Sequence, residues 1–478
     1  MRYPYKQMLD AGRAFSSSDE DLDQLALFMT GDPEPIPAGY TYLGQFINHD
    51  ITLELSAKDE QPIPPWGLRR VTPDELRNGR SPFLNLDTIY GFFDGSLEGK
   101  GFTRADLLTG DSGAELKLGD TGPVPGWGMG FAGKDLPRIP GQSAAMIVDA
   151  RNDENLAIAQ TQLAFMRFHN AIVHRGLAGA AQKPFEAARE LVIQYYQWII
   201  VHDYLPRIVK KSVLADVLLN RNQFYFPDKE FPFVPIEFSA AAFRVGHSMI
   251  RSSYNWNSTF NRDPGHTPAT VSQLQQLTGS GGGLVNNQLP FDWAVNWNWF
   301  YEISIFDQGQ KLNFASSIDT RLSEGLGTKP MIRELSIAAR DLYRGRIHGM
   351  PTGQDVALVV LGSKKRVLRA EQIAALLPPG LKSIFSAETP LWFYLLAEAA
   401  IEERGSNLGE VGSRIVAETV IELIRHTTPS IFETNFSPNP LWSAWDGKFG
   451  MKELLRFVAN GDESELDPLK DINSSQSK

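Results

Sequence analysis

The sequence predicts a mainly α-helical fold: one large domain with long loops and few, short strands. Three observations carry this expectation. Long segments place apolar residues at helical spacing. Strand signals are sparse and brief. No glycine-rich phosphate loop follows a strand, which argues against a nucleotide-binding α/β fold. The chain has 478 residues, enough to bury a large core.

The elements follow in chain order. The N-terminal MRYPYKQMLDAGRAF lacks the apolar stretch of a signal peptide. No segment is long and uncharged enough to span a bilayer, and the expectation is a cytosolic protein, with signal-independent secretion left open. The segment LGQFINHDITLELS, residues 43–56, is apolar but sets His49 between Asn48 and Asp50, with Gln45 one helical turn earlier. Residues 91–143 are rich in Gly, Pro and Asp and read as long loops with at most short strands. NLAIAQTQLAFMRFHNAIVHR, 155–175, is an amphipathic helix. FEAARELVIQYYQWIIVHDYL, 185–205, is apolar around more of its circumference and belongs in the core. A further helix is expected in IEFSAAAFRVGHSMIRSSY, around residue 240, and another from residue 331 in MIRELSIAARDLYRG. TPLWFYLLAEAAIEERG and GSRIVAETVIELIRHT give two more, parted by a Gly/Asn turn. Residues 278–290 read as a flexible loop. Residues 1–462 are expected to form a single catalytic domain, and the polar tail 463–478 to fray. No heptad seam is evident, so the sequence is silent on oligomeric state.

Composition removes several function classes. The formal net charge of −10 argues against nucleic acid, whose phosphates need cations, and against docking on an anionic membrane. There is no cysteine. That excludes disulfides, thiolate metal sites, iron–sulfur clusters and a cysteine nucleophile together.

Chemistry is suggested at four places. His49 is either a satisfied histidine of turn or core, or a functional imidazole. His247, in AAFRVGHSMIRSS, has apolar neighbours and Arg244 one turn earlier; a buried imidazole needs a partner for its second nitrogen, and an adjacent Arg suits a carboxylate-bearing ligand. In RSPFLNLDTIYG, residues 80–91, Ser81, the Phe83 carbonyl, Asn85 and Asp87 recur at period two. Hard oxygens so spaced suit Ca²⁺, while a polar-edged strand shows the same alternation. DARNDEN, 149–155, precedes a helix. Its acidic residues suit the helix N-terminus, and Arg151 opposes the dipole unless it faces another anion.

These four motifs, in this order, resemble the animal-type haem peroxidases of the peroxidase–cyclooxygenase superfamily. LGQFINHDIT is similar to that family's distal-histidine segment, RSPFLNLDTIYG to its calcium loop, DARNDENLAIAQTQLAFMRFHN to its distal-arginine segment, and AFRVGHSMI to its proximal-histidine helix. LYRGRIHGMP, IQYYQWIIVHDYLPRIV and GSRIVAETVIELI are weaker echoes. The resemblance runs from about residue 20 to 460 and implies the family's large helical fold.

It also implies roles. His49 would be the distal base that moves a proton between the oxygens of hydrogen peroxide, Arg151 the fixed cation that stabilises the departing oxygen, and Gln45 the partner of distal water or halide. His247 would be the proximal iron ligand, with Asp341 standing where the family has Asn. A carboxylate there would lower the iron's reduction potential. Arg244 and Arg344 would bind haem propionates. Asp50, Ser81, Phe83, Asn85 and Asp87 would hold Ca²⁺, although Asn85 stands where Asp is typical and Asp87 where Ser or Thr is. Asn48 replaces the Asp that forms one haem ester in relatives; Glu154 retains the other position. The expected cofactors are haem b, non-covalent or singly linked through Glu154, and Ca²⁺. The expected activity is peroxide-dependent oxidation of a small electron donor: phenolic, halide or other. Two readings compete. A fatty-acid dioxygenase of the same scaffold would need a Tyr three residues before the proximal His, where this chain has Arg244. A non-catalytic haem binder would not need Gln45, His49 and Arg151 together.

Overall fold

The computed structural model describes residues 35–58, 61, 63, 70–91, 102–110, 113–124, 133–177, 183–303, 311–323, 336–444 and 447–469. Residues Ile36–Lys478 make one compact unit. This unit is mainly α-helical. Its strands are two or three residues long and form four separate antiparallel pairs among the described residues. Three of these pairs lie between Glu54 and Asp135, mostly in the Gly- and Pro-rich region where short strands were expected.

The central helix is Leu156–His174. The Asn155 side chain caps it by accepting from the Ile158 N–H, which satisfies one of the first turn's unpaired donors. Its apolar residues are buried on every side, and the helices Gly39–Ile51, Pro184–Ile199 and Met451–Ala459 pack around it. Phe46 stacks on Phe165 with ring centroids 5.2 Å apart, and Tyr196 meets both rings edge-on. Helix Gly39–Ile51 approaches closely because Gly44 has no side chain; a Cβ there would lie 2.4 Å from the Tyr204 hydroxyl oxygen.

The apolar segment 185–205 is not one uniform helix. An α-helix over Pro184–Ile199 passes into a π turn, Ile200–Tyr204, before a last α turn, Leu205–Ile208. A π turn adds a residue to the helical circuit. Within it Asp203 accepts from the Tyr40 hydroxyl at 2.8 Å and from the Met451 N–H at 2.9 Å, tying three segments together.

The segment around residue 240 also departs from the single helix its sequence suggests. It is a short α-helix, Ile236–Ala240, then a 3-10 helix, Ala242–His247. Ala241, at φ −138° and ψ −69°, breaks the run. The Ser239 carbonyl instead accepts from Arg244 Nε at 2.8 Å. The later helices are Ile337–Ile347, Leu391–Glu402 and Glu410–His426; residues 331–335 of the expected fourth helix lie outside the described residues. The tail is corrected in part. Residues 465–469 are at least half-buried: Leu469 is buried with Val124 and Phe291, and the Leu466 carbonyl accepts from the Trp297 N–H. Two leucines in an otherwise polar run find an apolar seat there.

Candidate active site

His49 lies near the end of helix Gly39–Ile51 and is buried. Its Nδ1 is 2.8 Å from Asn152 Oδ1. The Asn152 amide nitrogen donates to Gln162 Oε1 at 2.6 Å, which fixes the amide so that its oxygen faces the ring. The ring therefore carries its proton on Nδ1 and leaves Nε2 as a base. Burial, with the nearby Arg151 charge, pushes the imidazole pKa down to about 4. The ring is neutral at pH 7.

Arg151 sits in the 3-10 turn Ala150–Asp153, which packs on the His49 helix. Its guanidinium donates to the His49 carbonyl at 2.9 Å and to both oxygens of Asp149. Asp149 is the anion that the position of Arg151 required. It is buried, pairs with Arg80 at 2.7 Å as well, and also accepts from the Arg151 N–H. Burial would raise its pKa, but the two guanidiniums hold it well below the usual carboxylate range. Gln45 stands one turn before His49, and its Oε1 accepts from Asn155 at 3.2 Å, leaving its amide N–H groups to donate. Glu154 follows the turn and is half-buried.

The 3-10 helix of His247 packs on the His49 helix. His247 Nδ1 donates to Asp341 Oδ2 at 2.5 Å, so Nε2 is the nitrogen available to a metal. The imidazole is 30% exposed although its carboxylate partner is buried, so one side of the ring faces open space. Arg244 reaches the other Asp341 oxygen at 3.4 Å. Burial and the neighbouring Arg344 charge lower the Arg244 pKa to about 10, still charged at pH 7. Asp341 is held below its ordinary value: burial opposes this, but His247 and the two arginines outweigh it.

Arg344 is placed differently from the expectation of a guanidinium waiting for a propionate. It donates to Glu54 Oε1 at 2.6 Å, and His348 Nε2 lies 3.1 Å from the other oxygen. Burial of Glu54 is outweighed by His348 and Arg344, which bring its pKa down to about 2. Arg344 Nε and His348 Nδ1 are buried without a partner.

The candidate calcium residues converge. Asp50 is fully buried, and its Oδ2 accepts from the Leu86 N–H at 3.1 Å, which places it beside the 81–87 loop. Ser81 donates to Asp87 Oδ2. Asn85 Oδ1 and Asp87 Oδ1 are buried without partners. Among the described residues no group of three or more His, Asp or Glu could hold a metal; this set offers two carboxylates, with hydroxyl, amide and carbonyl oxygens completing it.

Sequence reasoning missed Asp149 as the anchor of Arg151, Asn152 as the partner of His49, and Glu54. A signal for the second was present: Gln160, Thr161 and Gln162 interrupt an apolar helix, and all three are buried.

Comparison with known proteins places the chain as a whole. Thyroid peroxidase from Mus musculus is 26% identical over 296 residues, 59% of this chain and 30% of the relative. Chorion peroxidase from Drosophila melanogaster is 25% identical over 297 residues, 58% and 33% respectively. The matches thus span about a third of those relatives. Among solved structures, peroxidase A from Dictyostelium discoideum superposes with a TM-score of 0.60 at 17% identity, over 91% of this chain and 86% of that one. The fatty acid alpha-dioxygenase of Arabidopsis thaliana gives 0.55 at 13% identity, over 91% and 73%. Both likenesses are of fold. The animal haem peroxidase profile matches residues 64–360, more than half of the sequence, and the chain belongs to that family.

Proposed function

We propose that this protein is a haem-dependent peroxidase that reduces hydrogen peroxide and oxidises a small donor. The observation that carries the reading is the His49–Asn152–Gln162 chain, which presents a neutral base nitrogen beside an Arg151 already locked by Asp149. The residues fit haem b. His247 has one nitrogen committed to Asp341 and the other free, and Arg244 offers a charged guanidinium for a propionate. Arg344 shares its charge with Glu54, so the stronger propionate contact belongs to Arg244. Glu154 stands at the sequence position that would form a single ester, and Asn48 cannot form one.

Haem, when bound, would supply the two electrons that peroxide takes up and would recover them from the donor. The chain supplies the proton chemistry. His49 Nε2 accepts the proton of one peroxide oxygen and returns it to the other, so that water leaves rather than hydroxide. Arg151 provides fixed positive charge where the departing oxygen gathers negative charge. It needs no rearrangement, because Asp149 and the His49 carbonyl already hold it. Gln45 donates to distal water. The dioxygenase reading lacks its tyrosine: Arg244 occupies that position and is engaged with Ser239 and Asp341.

Ca²⁺ is proposed at Asp50, Ser81, the Phe83 carbonyl, Asn85 and Asp87. Burial and the Asp87 charge disfavour ionisation of Asp50, and burial that of Asp87, and two oxygens there have no donor. A divalent ion satisfies both conditions and pins the backbone next to His49.

The test is a screen of haem-loaded protein with peroxide and a phenol, a halide, or a fatty acid under oxygen. Peroxide-dependent donor oxidation that falls about 100-fold or more in His49→Leu, with the haem absorption band retained, is expected for a lost general base. Oxygen uptake with the fatty acid, or no turnover at all, refutes the proposal.

A further inference from the structure

Among the described residues, ten large hydrophobic side chains are exposed, and five of them lie between positions 219 and 233: Leu219, Phe224, Phe226, Phe231 and Phe233. The stretch LNRNQFYFPDKEFPF is no frayed loop. The buried carboxylate of Glu418 accepts three successive backbone N–H groups, from Gln223, Phe224 and Tyr225. The Tyr225 hydroxyl donates to the Phe233 carbonyl, and their rings meet edge-on at 5.2 Å. Asp228 closes the tip by accepting from the Glu230 and Phe231 N–H groups. The loop is thus fixed while its phenylalanines point to solvent; Phe226 and Phe231 are 69% and 80% exposed. Solvation offers no reason to hold such rings outward, and a protein interface does.

We propose that this aromatic loop is the contact by which two copies of the chain pair about a two-fold axis. Three observations favour a second copy. First, area: with an aromatic side chain near 200 Å², the five exposed groups present on the order of 600 Å². Two such patches facing each other bury about 1,200 Å², the lower end of specific interfaces. Second, charge: the tip reads Asp228–Lys229–Glu230, acid–base–acid. A two-fold axis sets each loop against its own copy, so Lys229 of one copy meets Asp228 or Glu230 of the other. Lys229 is 78% exposed, with only a 3.7 Å approach to Glu433. Third, an anionic lipid surface is a poor alternative: Arg221 and Lys229 are offset by Asp228 and Glu230 within the loop, and the whole chain carries −10. A preformed loop loses little entropy on binding, which suits a modest interface.

Sedimentation velocity over a wide concentration range tests this with the full chain. The wild type is expected to shift from monomer to dimer mass. Phe226→Ser/Phe231→Ser is expected to weaken pairing by roughly tenfold or more without moving the thermal midpoint measured at concentrations where both proteins are monomeric, since both rings are solvent-exposed in the single chain. Lys229→Glu is expected to weaken it, and Lys229→Glu with Glu230→Lys, which leaves the Asp228 cap of the loop tip in place, to restore it. A wild type that stays monomeric overturns the proposal, as does a dimer that both variants leave intact. Flotation of a monomeric wild type with phosphatidylcholine vesicles, lost in the phenylalanine variant, overturns it in favour of lipid.

Discussion

Replacing Asn152 with Leu tests the proton logic of the site without touching any group proposed to meet peroxide or iron. The side chain keeps a similar volume but loses the acceptor for His49 Nδ1–H and the donor to Gln162 Oε1. Each buried polar group left unpaired costs about 1–3 kcal/mol, so the denaturant midpoint falls. The imidazole can relieve its share by moving its proton to Nε2, which removes the base from the side where it is needed. If the hydrogen bond that favours the Nδ1–H form is worth about 1–1.5 kcal/mol, the ratio of the base-competent tautomer to the other drops roughly tenfold. Loss of ring orientation adds to this, and peroxide consumption is expected to fall about 10–100-fold. The His247–Asp341 pair is untouched, so haem uptake stays as in the wild type. Stopped-flow measurement of peroxide consumption by the haem-loaded protein decides it. A folded, loaded variant that works within about twofold of the wild type refutes the tautomer argument.

Three further outcomes are expected. Asp341→Asn removes the anionic partner of His247 and raises the iron midpoint potential in spectroelectrochemical titration; an unchanged or lower potential contradicts the carboxylate's role. A calcium-specific chelator lowers the thermal midpoint of the wild type, whereas Asp87→Ala starts lower and responds no further; equal chelator effects on both remove calcium from the loop. Glu398 supplies a pH test. Burial raises its pKa to about 8, against hydrogen bonds from the Val411 and Gly412 N–H groups. A raised carboxyl pKa means that its share of stability is full below the unfolded value, near 4.3, and is lost as pH rises through about 8. Urea midpoints are expected to drop by the equivalent of a few kcal/mol over that window, and less steeply in Glu398→Gln; parallel profiles reject the assignment.

Periodicity made the long helices legible. Leu156–His174 lies within one residue of its apolar pattern at each end, because an amphipathic stripe and an Asn cap agree there. Around residue 240 the same reasoning overreached. Alanines carry helical propensity, but the run breaks at Ala241, where the tertiary contacts of Arg244 and His247 override it. At the site, individual side chains could be nominated from motif order, and His247 with Asp341 is the clearest case, 94 positions apart yet bonded. What could not be read was the set of anchoring groups. Asn152 and Glu54 act through contacts between distant segments, and Asp149 joins its neighbour Arg151 to the distant Arg80; no local pattern encodes which buried cation or ring each distant contact will meet.

The Glu54–Arg344 pair bears on how the protein matures. Because the chain supplies its own counter-ion, this guanidinium does not wait for a cofactor carboxylate to be neutralised, and an uncompensated interior cation is among the costlier defects a fold can carry. Folding can therefore run to completion first and cofactor loading second. On the proposed reading, in which Arg344 meets a haem propionate, Glu54 would be the group that the propionate must share with, or displace from, Arg344, and the rate of haem acquisition would depend on it.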